Sequence, residues 1–157
     1  MITVHVPGCD ETLRIGQLVL DFNGTLALDG KIKPGVRELL AELSKQLSIH
    51  ILTAGTFGHV DNEIQGIPCV LKTLTGEGQR AQKARYVEGL GAENTACIGN
   101  GRNDSAMLKT AGLGIVVVQE EGAAPESLLA ADIVCTDILA ALRLLLHPLR
   151  LTATLRT

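Results

Sequence analysis

Four polar side chains fall where apolar runs stop or where helical runs begin. Asp21 follows the run Gln17-Leu18-Val19-Leu20, and Thr53 follows Ile49-His50-Ile51-Leu52. Lys83 lies inside a helical pattern, and Asp104 follows Thr95–Ile98 by way of Gly99-Asn100-Gly101-Arg102-Asn103. A carboxyl group has an ordinary pKa of about 4, so Asp21 is ionised at neutral pH. Such a group can attack phosphorus and form an acyl phosphate. An anion attacking an anion is repelled, so the chemistry requires positive charge at the same place. Singly, a strand-end Asp or Thr is a turn or cap residue, a helical Lys is a solvated one, and Gly24 or Gly101 permits a tight turn. What singles these residues out is their order and their shared position at one edge of a sheet.

The elements that would position them alternate along the chain. Ile2–Val6 and Thr12–Ile15 flank Pro7-Gly8 and read as a hairpin. Strands are expected over Gln17–Asp21, Ile49–Thr53, Cys69–Leu71, Thr95–Ile98, Leu113–Val118 and Ile133–Cys135. Helices are expected from Pro34 to Leu47, and over His59–Ile64, Glu77–Leu90, Asp104–Ala111, Pro125–Ala131 and Ile138–Leu146. Strands that lack a polar face imply a parallel sheet covered on both sides. Right-handed crossovers then give a doubly wound α/β domain of three layers (α/β/α), whose ligands bind beyond the carboxyl ends of the strands. A single domain is expected over residues 1–147, including the 2–15 hairpin, with a loosely attached tail at 148–157. Thr73–Gly78 is the best loop candidate, and it lacks the Gly-Lys-Ser/Thr ending of a phosphate-binding P-loop.

The segment Asp21-Phe22-Asn23-Gly24-Thr25 resembles the Asp-x-Asp-Gly-Thr motif of the haloacid dehalogenase-like superfamily. Thr53, Lys83 and Gly99-Asn100-Gly101-Arg102-Asn103-Asp104 resemble its three later motifs. Lys83-Ala-Arg-Tyr-Val87-Glu-Gly-Leu90 and Gly112-Leu113-Gly114-Ile115 bring the resemblance closest to the phosphorylation domain of P-type ATPases, over roughly Ile15 to Leu145. The resemblance implies a Rossmann-like hydrolase of phosphate esters or anhydrides. Its nucleophile would be Asp21, carried through a phospho-aspartate. Mg²⁺ would be held by Asp21, Asn23 through its carbonyl, Asn100 and Asp104. The phosphoryl group would meet Thr53, Lys83 and the main chain at Phe22, Gly24 and Ala54, with Asn103 supporting Lys83 and Asp104.

Two departures from the motifs carry consequences. Asn23 stands where most phosphatases of that family have an aspartate acting as general acid and base. An amide cannot move that proton, so slow turnover of ordinary monoesters is expected. Asn100 replaces another aspartate, so Mg²⁺ should bind less tightly. A non-catalytic regulator that binds Mg²⁺ or phosphate is the alternative. A receiver-like signalling domain would instead need paired acids on the first strand, and these are absent. Only 31 residues separate Asp21 from Thr53 and 29 separate Thr53 from Lys83, which leaves no room for a cap domain. An open site suits a macromolecular phosphorylated substrate, or a homo-oligomer in which a neighbouring subunit covers a small one.

Composition excludes other classes. Net charge is −3 and aromatic residues make up 2% of the chain, which removes a basic footprint and stacking platforms for nucleic acid. No apolar run is long enough to span a membrane, and Met1–Asp10 does not read as a signal peptide. Cys9, Cys69, Cys97 and Cys135 form no C-x-x-C pair and read as buried reduced thiols, fitting a cytoplasmic setting. The Leu-rich segment Leu139–Leu151 reads as a final helix packed on the sheet or as a docking face.

Overall fold

A computed structural model describes residues 1–8, 12–55 and 60–156. Cys9, His59 and Thr157, which the expectations above include, lie outside the described residues. The hairpin forms as expected, with β1 (Ile2–His5) antiparallel to β2 (Thr12–Ile15). The main sheet contains β3 (Gln17–Asp21), β6 (Ser48–Thr53), β7 (Val70–Thr73), β8 (Thr95–Gly99), β9 (Leu113–Val117) and β10 (Ile133–Cys135). Its order is β10-β9-β8-β3-β6-β7 and every pairing is parallel. β3 therefore lies between β8 and β6, and the sequence changes winding direction beside it. The crevice at such a switch point is where open α/β sheets bind ligands.

Each strand divides its side chains between two buried faces. Leu18 and Leu20 of β3, Ile49 and Ile51 of β6, and Ala96 and Ile98 of β8 join one apolar cluster. Val19, Leu52 and Cys97, on the opposite pleat, join the other. The first cluster is covered by α1 (Val36–Leu43), α2 (Val60–Ile64) and α6 (Ile138–Leu146). The second is covered by α3 (Gln79–Leu90) and α4 (Ser105–Thr110), with Ala130 of α5 (Pro125–Ala130) at its border. This is the three-layer α/β/α arrangement, and no cap domain is inserted among the described residues. The parity of β3 matters for function. Asp21 shares its pleat with Val19, so it emerges on the face covered by α3 and α4.

The structure adjusts three expectations. Helix α1 stops at Leu43, where Lys45 N–H turns back to Glu42 in a three-residue turn, although Leu47 is still buried. A small hairpin, β4 (Ala27–Leu28) with β5 (Lys31–Ile32), occupies the start of the first gap. Its turn residues Asp29 and Gly30 both have positive φ, 50° and 78°, as a two-residue I′ turn requires. The tail is not loose: α7 (Pro148–Leu155) lies on the hairpin, with Leu151 fully buried and Thr152 Oγ1 donating to the His5 carbonyl at 2.8 Å. Leu151 and Leu155 fall one turn apart and pack with Ile2 and Val4 in the same apolar cluster, which is the physical reason for the docking. The Leu-rich stretch is likewise spent on packing, since Ile138, Ala141, Leu142 and Leu145 of α6 are buried. No single helix among the described residues is long and apolar enough to cross a membrane.

Gly114 of β9 faces α4, and a methyl group there would strike the Leu108 carbonyl. Backbone cannot yield as a flexible side chain can, so Gly114→Ala should cost about 1–3 kcal/mol of stability. A urea titration checks this: a lower midpoint with an unchanged slope is expected.

Candidate active site

Asp21 ends β3, Lys83 lies in the second turn of α3, and Asp104 closes a short 3-10 turn (Arg102–Asp104) after β8. Although 62 and 21 residues apart in sequence from Lys83, both carboxylates reach it. Lys83 Nζ is 2.5 Å from Asp21 Oδ1 and 2.6 Å from Asp104 Oδ1, and the lysine is 0% exposed. Asp104 is held from the other side as well. Its Oδ2 accepts the Asn100 and Gly101 amides at 3.0 and 2.8 Å. A Cβ on Gly99 would meet Asp104 Cγ at 2.6 Å, so that position must be glycine for the carboxylate to come so close.

Thr25 joins the two asparagine-altered motifs. Its Oγ1 stands 3.2 Å from Asp21 Oδ2 and 3.2 Å from Asn100 Oδ1. One hydroxyl proton cannot serve both acceptors at once. The oxygens of Asp21 and Asn100 thus face a common space. Asn100 is 7% exposed, and its Nδ2 donates to the Gly122 carbonyl at 3.0 Å. Asn23 Oδ1 is buried without a hydrogen-bond partner among the described residues. A buried acceptor left without a donor costs about 1–3 kcal/mol, so this oxygen calls for a donor or a cation.

Other residues singled out in the sequence lie around this centre. Thr53 is buried at the end of β6, next to β3, and its Oγ1 accepts the Gly55 amide at 3.4 Å. It makes no hydrogen bond to Asp21, Lys83 or Asp104 among the described residues. Ala54 follows it at the same edge. Phe22 is fully buried, and its carbonyl accepts the Leu26 and Ala27 amides at 2.9 Å each. Gly24 has φ 77° and its amide donates to the Ala27 carbonyl at 2.9 Å, so its contribution is close approach of the chain rather than a free donor. Asn103 donates to Gln79 Oε1 at 3.4 Å, not to Lys83 or Asp104. Gln79 lies one turn before Lys83, so this contact ties the entrance of α3 to the motif that carries Asp104. Thr25 has a place in the first motif but no role in the sequence reading; its spacing of four from Asp21 was the available signal.

Two acids and one base in a buried cup leave an excess negative charge. Burial pushes the Asp21 carboxyl up to about 7, with Asp104 adding to the effect and Lys83 and Thr25 opposing it. Burial alone would pull Lys83 down, but Asp21 and Asp104 outweigh it and hold the ammonium above the usual lysine range. Cys97, behind the cluster, is driven up by burial and by Asp104, so it stays a thiol. Cys97 and Cys135 are buried and Cys69 is partly buried, all three unbonded to sulfur.

The donor set suits a hard divalent cation. Asp21 Oδ2 and Asn100 Oδ1, both within 3.2 Å of the Thr25 hydroxyl, are oxygens, and Mg²⁺ prefers oxygen ligands while keeping several waters. No compact group of three His, Cys, Asp or Glu side chains is present among the described residues, so any such ion would rest largely on neutral oxygens and water.

Comparison with known proteins agrees with the geometry. A family profile described as haloacid dehalogenase-like hydrolase matches residues 82–138, the stretch carrying Lys83 and Asp104. The uncharacterized protein MJ0073 of Methanocaldococcus jannaschii is 45% identical over 82 residues, covering 50% of this chain and 88% of that protein. MJ0072 of the same organism is 54% identical over 39 residues, 25% of this chain and 89% of its own length. Among solved structures, the cobalt-bound deoxy-D-mannose-octulosonate 8-phosphate phosphatase of Haemophilus influenzae superposes with a TM-score of 0.70 at 14% identity, covering 89% of this chain and 92% of that one. The 3-deoxy-D-manno-octulosonate 8-phosphate phosphatase of Moraxella catarrhalis, in complex with a magnesium ion, a phosphate ion and a KDO molecule, gives a TM-score of 0.65 at 19% identity, covering 88% of this chain and 90% of that one. The fold likeness extends to the superfamily at large and does not single out the ATPase branch. The chain therefore has the fold of haloacid dehalogenase-like hydrolases, and the profile of that family matches its stretch 82–138.

Proposed function

We propose that the protein is a Mg²⁺-dependent phosphohydrolase or phosphotransferase that works through a phospho-aspartate at Asp21. The observation that carries this reading is the buried Lys83 ammonium fixed between Asp21 and Asp104. A lysine so placed serves no ordinary packing purpose. It neutralises a carboxylate that must meet an anionic phosphoryl group, in a cup where charge is weakly screened.

The residues divide the work. Asp21 attacks phosphorus while the bond to the leaving oxygen breaks, and the phosphoryl group is then passed to water or to an acceptor. Lys83 offsets charge on Asp21 and on the phosphoryl oxygens. The Thr53 hydroxyl and the Ala54 amide donate to those oxygens from the neighbouring strand end, with the Phe22 main chain alongside and Gly24 allowing the chain to come close. Asp21, the Asn23 carbonyl, Asn100 and Asp104 would hold Mg²⁺, which supplies charge stabilisation at the phosphoryl group. Asp104 would serve it while remaining engaged by Lys83 and two amides. Phosphatase structures of similar fold, one bound to cobalt and one to magnesium and phosphate, support the use of a divalent ion. A phosphorylated small molecule is the substrate class we favour, entering an open site that lacks a cap.

Asn23 sets the kinetics. Its amide can hydrogen-bond to a leaving oxygen but cannot give it a proton. Leaving groups of low pKa, such as ADP from ATP or acetate from acetyl phosphate, need that proton least. Alkyl phosphate monoesters need it most, and so does hydrolysis of the phospho-aspartate. Asn23→Asp should therefore raise kcat/KM, which reports the steps up to phospho-aspartate formation and not its shared hydrolysis, by about 10²-fold for an alkyl monoester, at the low end of what general acid–base help supplies, and far less for acetyl phosphate. Phosphate release from both substrates with Mg²⁺, in wild type and variant, checks this. Equal effects on the two would refute the role given to position 23. No turnover in either protein, with Mg²⁺ still bound, would leave the regulatory reading in its place.

A further inference from the structure

The loop between β9 and α5 brings an acid to the site that no motif supplies. Gln119 anchors it: Nε2 donates to the Gly24 and Thr25 carbonyls at 2.9 Å each, while Oε1 accepts the Ile138 amide at 2.8 Å and Lys33 Nζ at 3.2 Å. Glu120 turns outward to Lys33 Nζ, 2.6 Å away. The Ala124 amide donates to the Asn100 carbonyl at 2.9 Å, and the Gly122 carbonyl accepts Asn100 Nδ2. The loop is thus fastened at both ends to the two motifs that have lost an aspartate.

Glu121 lies between those anchors. The space left by the missing side chain of Gly24 is a cradle of polar atoms: a Cβ there would stand 2.8 Å from Glu121 Oε2, 2.8 Å from Asn100 Oδ1 and 2.5 Å from Asn100 Nδ2. Glu121 has no ion-pair partner among the described residues, unlike its neighbour Glu120. It is also exposed, so a hydrated ion can approach it. An unpaired carboxylate beside the neutral Asn100 stands where that motif has an amide in place of an acid, and the buried, unpartnered Asn23 Oδ1 belongs to the same altered pair of motifs.

We propose that Glu121 is the third carboxylate of the divalent-cation site, acting through a water in the ion's shell and replacing the charge absent at Asn100. The proposal rests on the Mg²⁺-dependent reading given above. An acid across a glycine gap from the main-chain ligands, rather than in a compact triad with Asp21 and Asp104, fits an ion that keeps most of its water. Carboxylates that hold metal-bound groups in place commonly govern affinity without direct ligation.

The test is isothermal titration of Mg²⁺ into the metal-free, full-length protein without substrate. Glu121→Gln is expected to bind Mg²⁺ about 10- to 100-fold more weakly than wild type, with an unchanged unfolding midpoint in EDTA. Adding Asn100→Asp to Glu121→Gln should return the affinity towards wild type. Glu88→Gln, on the exposed face of α3, removes the same charge elsewhere and should bind as wild type does. Equal affinity in Glu121→Gln and wild type overturns the proposal, even if turnover falls, and leaves the metal-dependent reading intact. A double variant as weak as Glu121→Gln overturns it too, because restored charge at position 100 would then be no substitute. Absence of Mg²⁺ binding to wild type overturns this proposal together with the metal-dependent function.

Discussion

Asp21→Asn should abolish the proposed phosphoryl transfer yet leave the metal-free protein more stable than wild type at pH 8. The first half follows from chemistry: an amide oxygen is a poor nucleophile, and loss of an attacking group costs on the order of 10³-fold or more in rate. The second half follows from charge. Burial and Asp104 push the Asp21 carboxyl from 3.8 up to about 7. A carboxyl whose folded-state pKa is raised favours folding fully below its unfolded value, and that favour disappears as pH rises through the folded one. From about 4 to about 7 the wild type should therefore lose stability that the variant keeps. A tenfold change in proton affinity between the folded and unfolded chain is worth about 1.4 kcal/mol, so a difference of a few kcal/mol is the expected order. The variant leaves Lys83 and Asp104 as a neutral pair, and an amide oxygen at position 21 can still accept from Lys83. Denaturant titrations in EDTA at pH 5 and pH 8 read the effect. A variant less stable than wild type at pH 8 would show that Asp21 is not held against the preference of the fold.

This tension between site and stability explains which features were legible beforehand. Asp21 was readable because an apolar run with no polar face ends in a carboxylate, a local signal that needs no partner. Lys83 and Asp104 were readable as members of a spaced motif, while their meeting depends on parity. Asp21 shares the Val19 pleat and α3 crosses that face, so the lysine arrives from the correct side of the sheet. The β4–β5 hairpin was missed although Asp29-Gly30 is a strong turn pair, because each of its strands is only two residues long and shows no alternation. The tail was misread because Leu151 finds its partners in β1, at the far end of the chain. Glu121 left no trace in the sequence at all. Its placement depends on Gln119 gripping carbonyls 95 and 94 residues away, and on Lys33 holding Glu120 from 87 residues away. Local pattern cannot encode an acid delivered by such a strap.

The largest loss of stability should come from Lys83→Met. The ammonium is the only cation within hydrogen-bonding reach of Asp21 and Asp104 among the described residues, and all three groups are buried. Removing one partner of a buried ion pair leaves an uncompensated charge and typically costs about 3–5 kcal/mol. Here two carboxylates lose the same partner, which places the variant at about that upper value. A domain of ordinary stability holds only about 5–15 kcal/mol in total, so the variant should be near the edge of folding above neutral pH, where Asp21 can no longer escape readily by taking up a proton. Asp104 keeps two backbone N–H donors after the change, whereas Asp21 keeps only the shared hydroxyl of Thr25. Above neutral pH most of the damage should therefore pass through Asp21, whereas at lower pH that carboxyl takes up a proton. Combining Lys83→Met with Asp21→Asn should recover stability relative to Lys83→Met alone, a non-additive result expected of groups in direct contact. Lys83→Arg should not rescue the site, because a planar guanidinium cannot take the position of a compact ammonium clasped by two carboxylates at 0% exposure. Urea midpoints for the three variants in EDTA decide the matter. A strictly additive double variant would mean that Lys83 supports the fold through its aliphatic packing, and the electrostatic account of the site would have to be abandoned.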